Sequence, residues 1–310
     1  MFRTHLRQSR IIALTENRGR GIITARSPAL YLDHREEVII DPETMVVNDG
    51  GVISAYNSAG YRDQGPVWAG ATITEHVNML GGGPNFGHWV FEALTRLAVF
   101  DLSGSVTRTC VVSAGTPQKF IDVLPMLGVD KSIVSGPARF KSAYLASPPF
   151  ARAADHVLEV WPGAYHWLRQ RFGRYATVGT RYLKVFAIRK GATHRRLTNQ
   201  DEIAVALKAR GFLIVDFSTR SIIEQASIAQ QCDTLVMPQG AGAQIGWFCD
   251  GHVVELCNPK LDGIWAGRMG AAINGNPYTR LDGLIAPMQQ LQTSDSDYCI
   301  DTESLLETVR

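Results

Sequence analysis

Four short apolar runs, LKVFAI, FLIVD, TLVMP and HVVEL, follow one another between residues 183 and 256. Each is too short for a typical helix and is bounded by polar or turn-forming residues, which is the pattern of a strand buried on both faces. The segments NQDEIAVALKARG and IIEQASIAQQ between them space their apolar residues as a helix does. Parallel strands need a crossover, so the alternation predicts a mainly parallel sheet in β-α-β-α-β-α-β order, four strands in all. Thr198-x-x-Asp201 and Ser221-x-x-Glu224 read as capping boxes that start the two helices.

The first half carries a related pattern from residue 81 onward. A helix over 86–100, strand RTCVVS, a helix around QKFIDVLPMLG, strands SIVSG and SAYLAS, and a helix in AYHWLRQRFG are expected. Residues 22–80 differ: EEVII, MVV, GVISAY and PVWAGATI alternate with turn residues and read as hairpins. The stretch RYATVGTRYLK reads as a linker, with a boundary inside 174–181. The expected organisation is an N-terminal domain, 1–177, with a β-rich part at 22–80 and an α/β part at 81–177, then a Rossmann-like domain at 178–310. A chain of 310 residues has room for two cores of that size.

With 45% hydrophobic and 19% charged residues and a net charge of +2, the chain is neither a disordered segment nor a dedicated nucleic-acid binder. Its five cysteines include no C-x-x-C pair, so neither a disulfide framework nor a zinc site is signalled, and a reducing compartment is expected. The N-terminal apolar run, IIAL, is too short for a signal core or a membrane span. A cytoplasmic location is expected, with Arg3, Arg7 and Arg10 either solvated or in peripheral contact with the inner membrane face.

Three stretches could carry chemistry. In QGAGAQIGW the glycines Gly240, Gly242 and Gly246 leave a strand and open a helix, where bare N–H groups can hold a phosphate; a glycine-eased turn is the plainer alternative. Glu255, late in the next strand, is placed to bind ribose hydroxyls or to serve as a strand-end charge. In IRKGATHRR, Arg189, Lys190, Arg195 and Arg196 follow a strand at the edge where doubly wound sheets bind ligands; they suit diphosphate oxygens or form a solvated loop. In NFGHWVFEALTR, Asn85 can cap a helix whose period puts His88, Glu92 and Arg96 on one face, turned to water or to a cleft. A carboxyl beside apolar walls and a histidine is suited to general-base work. Asp295 and Asp297 spell D-x-D outside any hydrophobic strand end, and no metal is expected there.

On these motifs the chain resembles the family 61 glycosyltransferases, which include bacterial capsular polysaccharide biosynthesis proteins, plant xylan pentosyltransferases and animal O-linked N-acetylglucosaminyltransferases. The resemblance lies in NFGHWVFE (Asn85, His88, Trp89, Glu92), in Arg189, Arg195, Arg196 and Asn199, in Glu224-Gln225, and in VMPQGAGAQIGWF followed by HVVEL. It implies a GT-B architecture, inversion at the anomeric carbon, no obligatory metal, a nucleotide-sugar donor with a UDP-sugar favoured, and a glycan or glycoconjugate acceptor. Glu92 and His88 would be catalytic. Arg189, Arg195, Arg196, Asn199, Gln239, Gly240, Ala241, Gly242 and Glu255 would bind the donor; Asn85, Trp89 and Arg96 would lie on the acceptor side. Three positions depart from the family pattern: Gln239 replaces a histidine, and Gln244-Ile245 replaces Thr-Asn. Glutamine donates a hydrogen bond but carries no charge. Two other readings stand beside this one: a non-catalytic relative that binds a nucleotide or glycan, and a nicotinamide-dependent oxidoreductase whose dinucleotide loop would follow the third strand rather than the usual first.

Overall fold

A computed structural model of the chain describes residues 3–6, 12–14, 23–26, 30–42, 45–49, 52–55, 71–105, 107–146, 149–152, 158–175, 182–261, 267–286, 293 and 295–310. Arg7, Arg10, the PVWAG segment and residues 176–181 of the expected linker lie outside them. The chain is a mixed α/β protein that forms two compact units, Met1–Arg171 and Phe172–Arg310.

The N-terminal unit is built on one large sheet. Its strands β1 (Leu30–Asp41), β2 (Val46–Asp49), β3 (Val52–Ala55), β4 (Ala71–Gly81), β5 (Thr109–Ser113), β6 (Lys131–Ser135) and β7 (Ala138–Ala146) lie in the order β3-β2-β1-β7-β4-β5-β6, and an eighth strand, Arg3–Leu6, pairs antiparallel with the start of β1. β7, β4, β5 and β6 are parallel; β1 runs antiparallel to β7, and β2 and β3 extend it as the expected hairpins. The β-rich segment is therefore continuous with the α/β part rather than a separate decoration. Turn residues disclose hairpins, but nothing in a strand's own pattern names its long-range neighbour. Most of β4 escaped expectation for a related reason: residues 77–81 are buried one after another, so no two-residue alternation marks them. Val38, Ile40, Val77, Met79, Val111, Phe140 and Leu145 share the core of this sheet. Each such side chain contributes roughly 1.5–3 kcal/mol on burial.

Helix α1 follows β4. It begins α-helical at Phe86–His88, passes through a π-helical turn at Trp89–Ala93, and continues α-helical over Leu94–Leu102. Asn85 caps it, its Oδ1 accepting the N–H of Gly87 (2.8 Å) and of His88 (3.3 Å). Every residue from Trp89 to Phe100 is buried, Glu92 and Arg96 of the expected polar stripe among them. The helix expected around QKFIDVLPMLG is instead two pieces, α2 (Gln118–Ile121) and a 3-10 turn at Leu124–Leu127. Pro125 has no N–H to continue an α-helix. Helix α3 (Pro162–Gly173) closes the unit, the division between units falling in its last turn.

The C-terminal unit is a doubly wound parallel sheet. Strands β8 (Tyr182–Ile188), β9 (Leu213–Asp216), β10 (Cys232–Pro238), β11 (His252–Cys257) and β12 (Tyr278–Asp282) lie in the order β9-β8-β10-β11-β12. The fifth strand was not expected: YTRLD is polar, half-exposed and lies at the sheet edge. Helices α4 (Gln200–Ala209), α5 (Ile222–Gln230) and α6 (Gly267–Asn274), with a 3-10 helix at Ala241–Phe248, make the crossovers. Phe186, Ile203, Leu207, Phe212, Val236, Val254 and Leu256 form the core, joined by Tyr298 and Leu305 from the C-terminal segment, where α7 (Thr302–Thr308) packs on α4.

The capping box at Ser221 and Glu224 is formed as expected. The one expected at Thr198 and Asp201 is not. Asn199 occupies the N-cap without a side-chain cap bond, and the Thr198 hydroxyl donates to Tyr298 O (3.2 Å), so a tertiary partner has displaced the local one. All five cysteines are free thiols, four of them buried. Among the described residues no helix is long and apolar enough to cross a membrane.

Candidate functional site

In the C-terminal unit the sheet order reverses between β8 and β10, and such switch points are where open α/β sheets bind ligands, at the carboxyl ends of the strands. Arg189 leaves β8 there and Gln239-Gly240 leaves β10. The Arg189 N–H donates to Gln200 Oε1 (2.8 Å), and its Nη1 donates to Gln239 O (3.2 Å) and Arg195 O (3.4 Å). Burial, and then the neighbouring charge of Arg195, lower the proton affinity of Arg189. A guanidinium stays charged through any such shift, so Arg189 remains a cation, partly withdrawn from water and beside a second one. Gly240 has φ 153°, and a Cβ there would come within 3.0 Å of the Arg189 guanidinium. A side chain would fill the space between the two loops. The amides of Ala241 and Gly242 begin the 3-10 helix, where no earlier carbonyl of the helix can accept from them.

The other expected donor-side residues are engaged within the unit. Arg195 has φ 53°, its Nη2 lies 3.2 Å from His194 Nε2, and its Nε is 3.7 Å from Asp295 Oδ1. Arg196 is bound to Asp297, with Nε and Nη2 at 2.8 and 2.6 Å from Oδ2. Asn199 donates from Nδ2 to Ile300 O (2.8 Å) and accepts the Ile300 N–H on Oδ1 (3.1 Å). Gln239 is buried, its Oε1 accepting the N–H of Asn258 (3.3 Å). Glu255 is 3% exposed, and Oε2 accepts the Tyr278 hydroxyl (3.0 Å) beside the start of α6. Burial raises its proton affinity, against the Tyr278 hydrogen bond. Strand periodicity leaves one face of β11 open, but Val253 to Cys257 are all buried, and α6 with the Tyr278 side chain from the neighbouring β12 lies against the Glu255 carboxylate.

In the N-terminal unit the opening of α1 gathers the second set. His88 Nδ1 lies 2.6 Å from Glu92 Oε1; the histidine side chain is 65% exposed and the glutamate 12%. That hydrogen bond raises the proton affinity of His88, against partial burial. Tyr165 from α3 packs edge-on against Phe91 and its hydroxyl donates to Phe91 O (3.4 Å). Burial pushes its ionisation up, and the charge of Glu92 adds to the effect. The polar stripe is not uniform. His88 faces solvent and Glu92 only an edge, while Arg96 is buried, its Nη1 donating to Leu80 O (2.9 Å). Trp89 is also fully buried, stacked on Phe120. The expectation that the stripe faces water or a cleft therefore fails at Arg96, because the preceding glycine loop brings a strand end against the helix and supplies a carbonyl acceptor. Asn85 is spent on the helix cap.

The glycine loop is compelled by contact. Gly81 and Gly82 have φ of 75° and 122°, and a Cβ on Gly82 would meet Thr116 Oγ1 at 2.7 Å and the Trp89 ring at 2.9 Å. Sequence reading missed Tyr165, Thr116 and the π turn, whose five-residue backbone register has no compositional mark. It also missed Asp297 as the partner of Arg196, although the apolar YCI that follows DSD is a strand signal.

These features define a two-unit α/β protein with a cationic, amide-lined strand edge in one unit and a His–Glu pair at a helix start in the other. The glycosyltransferase 61 family model matches residues 86–254, more than half the chain. The chain belongs to glycosyltransferase family 61. No curated protein matches it.

Proposed function

We propose that the chain is an inverting, metal-independent glycosyltransferase that moves a sugar from a nucleotide-sugar donor, a UDP-sugar foremost, to a hydroxyl of a polysaccharide or glycoconjugate, in capsule-type assembly on the cytoplasmic side. The GT-B architecture implied by the family resemblance belongs to the same proposal, with the donor held by the C-terminal unit and the acceptor by the N-terminal one. The observation that carries the reading is the switch point of the C-terminal unit, where Arg189 is fastened to the main chain of Gln239 beside Gly240.

In this mechanism Glu92 takes the proton of the acceptor hydroxyl while that oxygen forms its bond to the anomeric carbon. The bond from that carbon to the diphosphate oxygen breaks, and the electron pair leaves with the diphosphate. His88 orients the Glu92 carboxylate through their 2.6 Å contact. Arg189, Arg195 and the amides of Gly240, Ala241 and Gly242 offset the charge that grows on the leaving group, a task that preorganised dipoles and cations perform without reorganisation. Glu92→Gln is expected to abolish sugar transfer and to leave nucleotide affinity near its original value. Full turnover by that variant would remove Glu92 from the role of base.

A second reading, a non-catalytic nucleotide or glycan binder, is favoured by Gln239, which is uncharged and turns its amide oxygen inward to Asn258. Donor binding by calorimetry with neither transfer nor donor hydrolysis, across a panel of acceptors, would select it.

A further inference from the structure

The arginine loop after β8 is held by the last part of the chain. Arg195 N–H donates to Asp295 O (3.0 Å), Tyr298 N–H to Arg196 O (3.0 Å) and Thr198 N–H to Tyr298 O (2.8 Å), a short parallel ladder centred on Leu197 and Tyr298. Asn199 extends it by pairing its amide with both main-chain groups of Ile300. This strap, Asp295–Ile300, lies beyond residue 254, where the family match ends.

Asp297 supplies the shortest ion pair between strap and loop. Its Oδ1 accepts the Arg196 N–H at 2.7 Å while Oδ2 receives Nε and Nη2 of the same residue. Three donors of one residue thus converge on one carboxylate. Arg196 is left with an engaged main chain and an engaged charge; its neighbour Arg195, whose Nε lies 3.7 Å from the exposed Asp295 carboxylate, sits at φ 53° and offers its carbonyl to Arg189 Nη1. A non-glycine residue in that backbone region persists only where the surroundings hold it.

We propose that Asp297 is a positioning residue of the donor-diphosphate site: it pins Arg196 and thereby sets the turn at Arg195 that places Arg195 and Arg189 at the switch point. Arg196 is then a clip and not a diphosphate ligand. This inference rests on the donor-site reading above, and the alternative role for Arg196 predicts the opposite sign. If Arg196 were a ligand held back by Asp297, neutralising the carboxylate would free a cation and tighten anion binding.

Calorimetry on the full chain with UDP, GDP, CDP and inorganic pyrophosphate tests it, using the probe that binds the wild type most tightly. Asp297→Asn and Arg196→Gln are each expected to weaken binding roughly tenfold, the scale of one charge-assisted hydrogen bond. The double variant should be no weaker than the weaker single one, because each loses the guanidinium–carboxylate contact while the Arg196 N–H can still donate to the side-chain oxygen at position 297. Asp297→Glu, which keeps the charge pair, is expected to recover most of the affinity. Thermal unfolding run alongside separates loss of fold from loss of positioning, since a purely structural role would lower the melting temperature without changing affinity in the folded fraction. Unchanged or tighter binding by Asp297→Asn, or additive losses in the double variant, would overturn the proposal. A wild type that binds none of the four probes would overturn the donor-site reading itself and this role with it.

Discussion

Arg189 donates from Nη1 to the main-chain oxygen of Gln239 across 3.2 Å, joining the carboxyl ends of β8 and β10 at the switch point of the sheet. Its second Nη1 contact, Arg195 O, is also a main-chain carbonyl, and among the described residues no carboxylate pairs with it. Carbonyl oxygens orient a guanidinium without cancelling its charge. A cation fixed in this way keeps its field for a ligand, which is the physical basis for reading the edge as an anion site.

Gly240→Ala is expected to separate the site from the fold. The added Cβ would stand 3.0 Å from the Arg189 guanidinium, on a backbone at φ 153° that side chains rarely adopt. The strain costs about 1–3 kcal/mol. The variant should lose nucleotide binding by calorimetry while its circular dichroism stays that of the parent, because the guanidinium rather than the core gives way. Retained affinity would show that the gap between the two loops is not where the donor lies.

Gly82→Ala tests the loop ahead of α1. Its Cβ would press on the Thr116 hydroxyl and the buried Trp89 ring at φ 122°, and neither neighbour has open space to yield into. A loss of about 1–3 kcal/mol in chemical denaturation is expected. Gly136→Ala, where no atom lies within 4 Å of the new Cβ, is the matched control and should change stability little.

The two halves were not equally legible in the sequence. The central strands β8, β10 and β11 announce themselves because central parallel strands are continuous apolar runs, the edge strand β9 because FLIVD is just as apolar, and Ser221 announces α5 because its capping partner Glu224 is three residues away. Thr198 misled for the complementary reason: the same local pattern was present, but Tyr298, distant in sequence, offered a carbonyl to its hydroxyl. Arg96 likewise looked like the end of a polar stripe until the fold brought Leu80 O to its guanidinium. β12 was hidden because a polar, half-exposed segment carries no period, and the pairing of Asp297 with Arg196 was hidden because the two lie far apart in sequence. Local chemistry was readable where its partners were local; the parts of the candidate site set by long-range pairing were not.

The His88–Glu92 contact gives a signed pH dependence. The proton affinity of His88 is raised above its usual 6.5 in the folded chain, chiefly by the hydrogen bond to Glu92. The resulting stabilisation is fully present below that value and is lost as pH rises through the higher folded pKa. Since His88 is largely exposed, the gain is below about 1 kcal/mol. The melting temperature of the wild type should exceed that of His88→Gln by a small margin near pH 6, and the margin should close on the alkaline side of neutrality. A margin that widens with pH would mean that the pair is not held by an imidazolium.

Glu255→Gln separates an internal role for Glu255 from a ligand-binding one. The carboxylate is buried under the Tyr278 hydroxyl and the start of α6, and burial raises its pKa above the usual 4.5. The folded chain therefore binds this proton more tightly than the unfolded chain, and wild-type stability declines as pH climbs from 4.5 through the folded value. Glutamine has no such proton to lose and keeps an amide oxygen for Tyr278. The stability difference should thus shift in favour of Glu255→Gln as pH rises across that window, measured by denaturant titration at a series of pH values. Nucleotide affinity should be unaffected, because the carboxylate is 3% exposed and its oxygen is occupied within the unit. A variant that folds normally but binds UDP much more weakly would return Glu255 to the ribose contact that its position late in a strand first suggested, and would require α6 and Tyr278 to move aside when the donor enters.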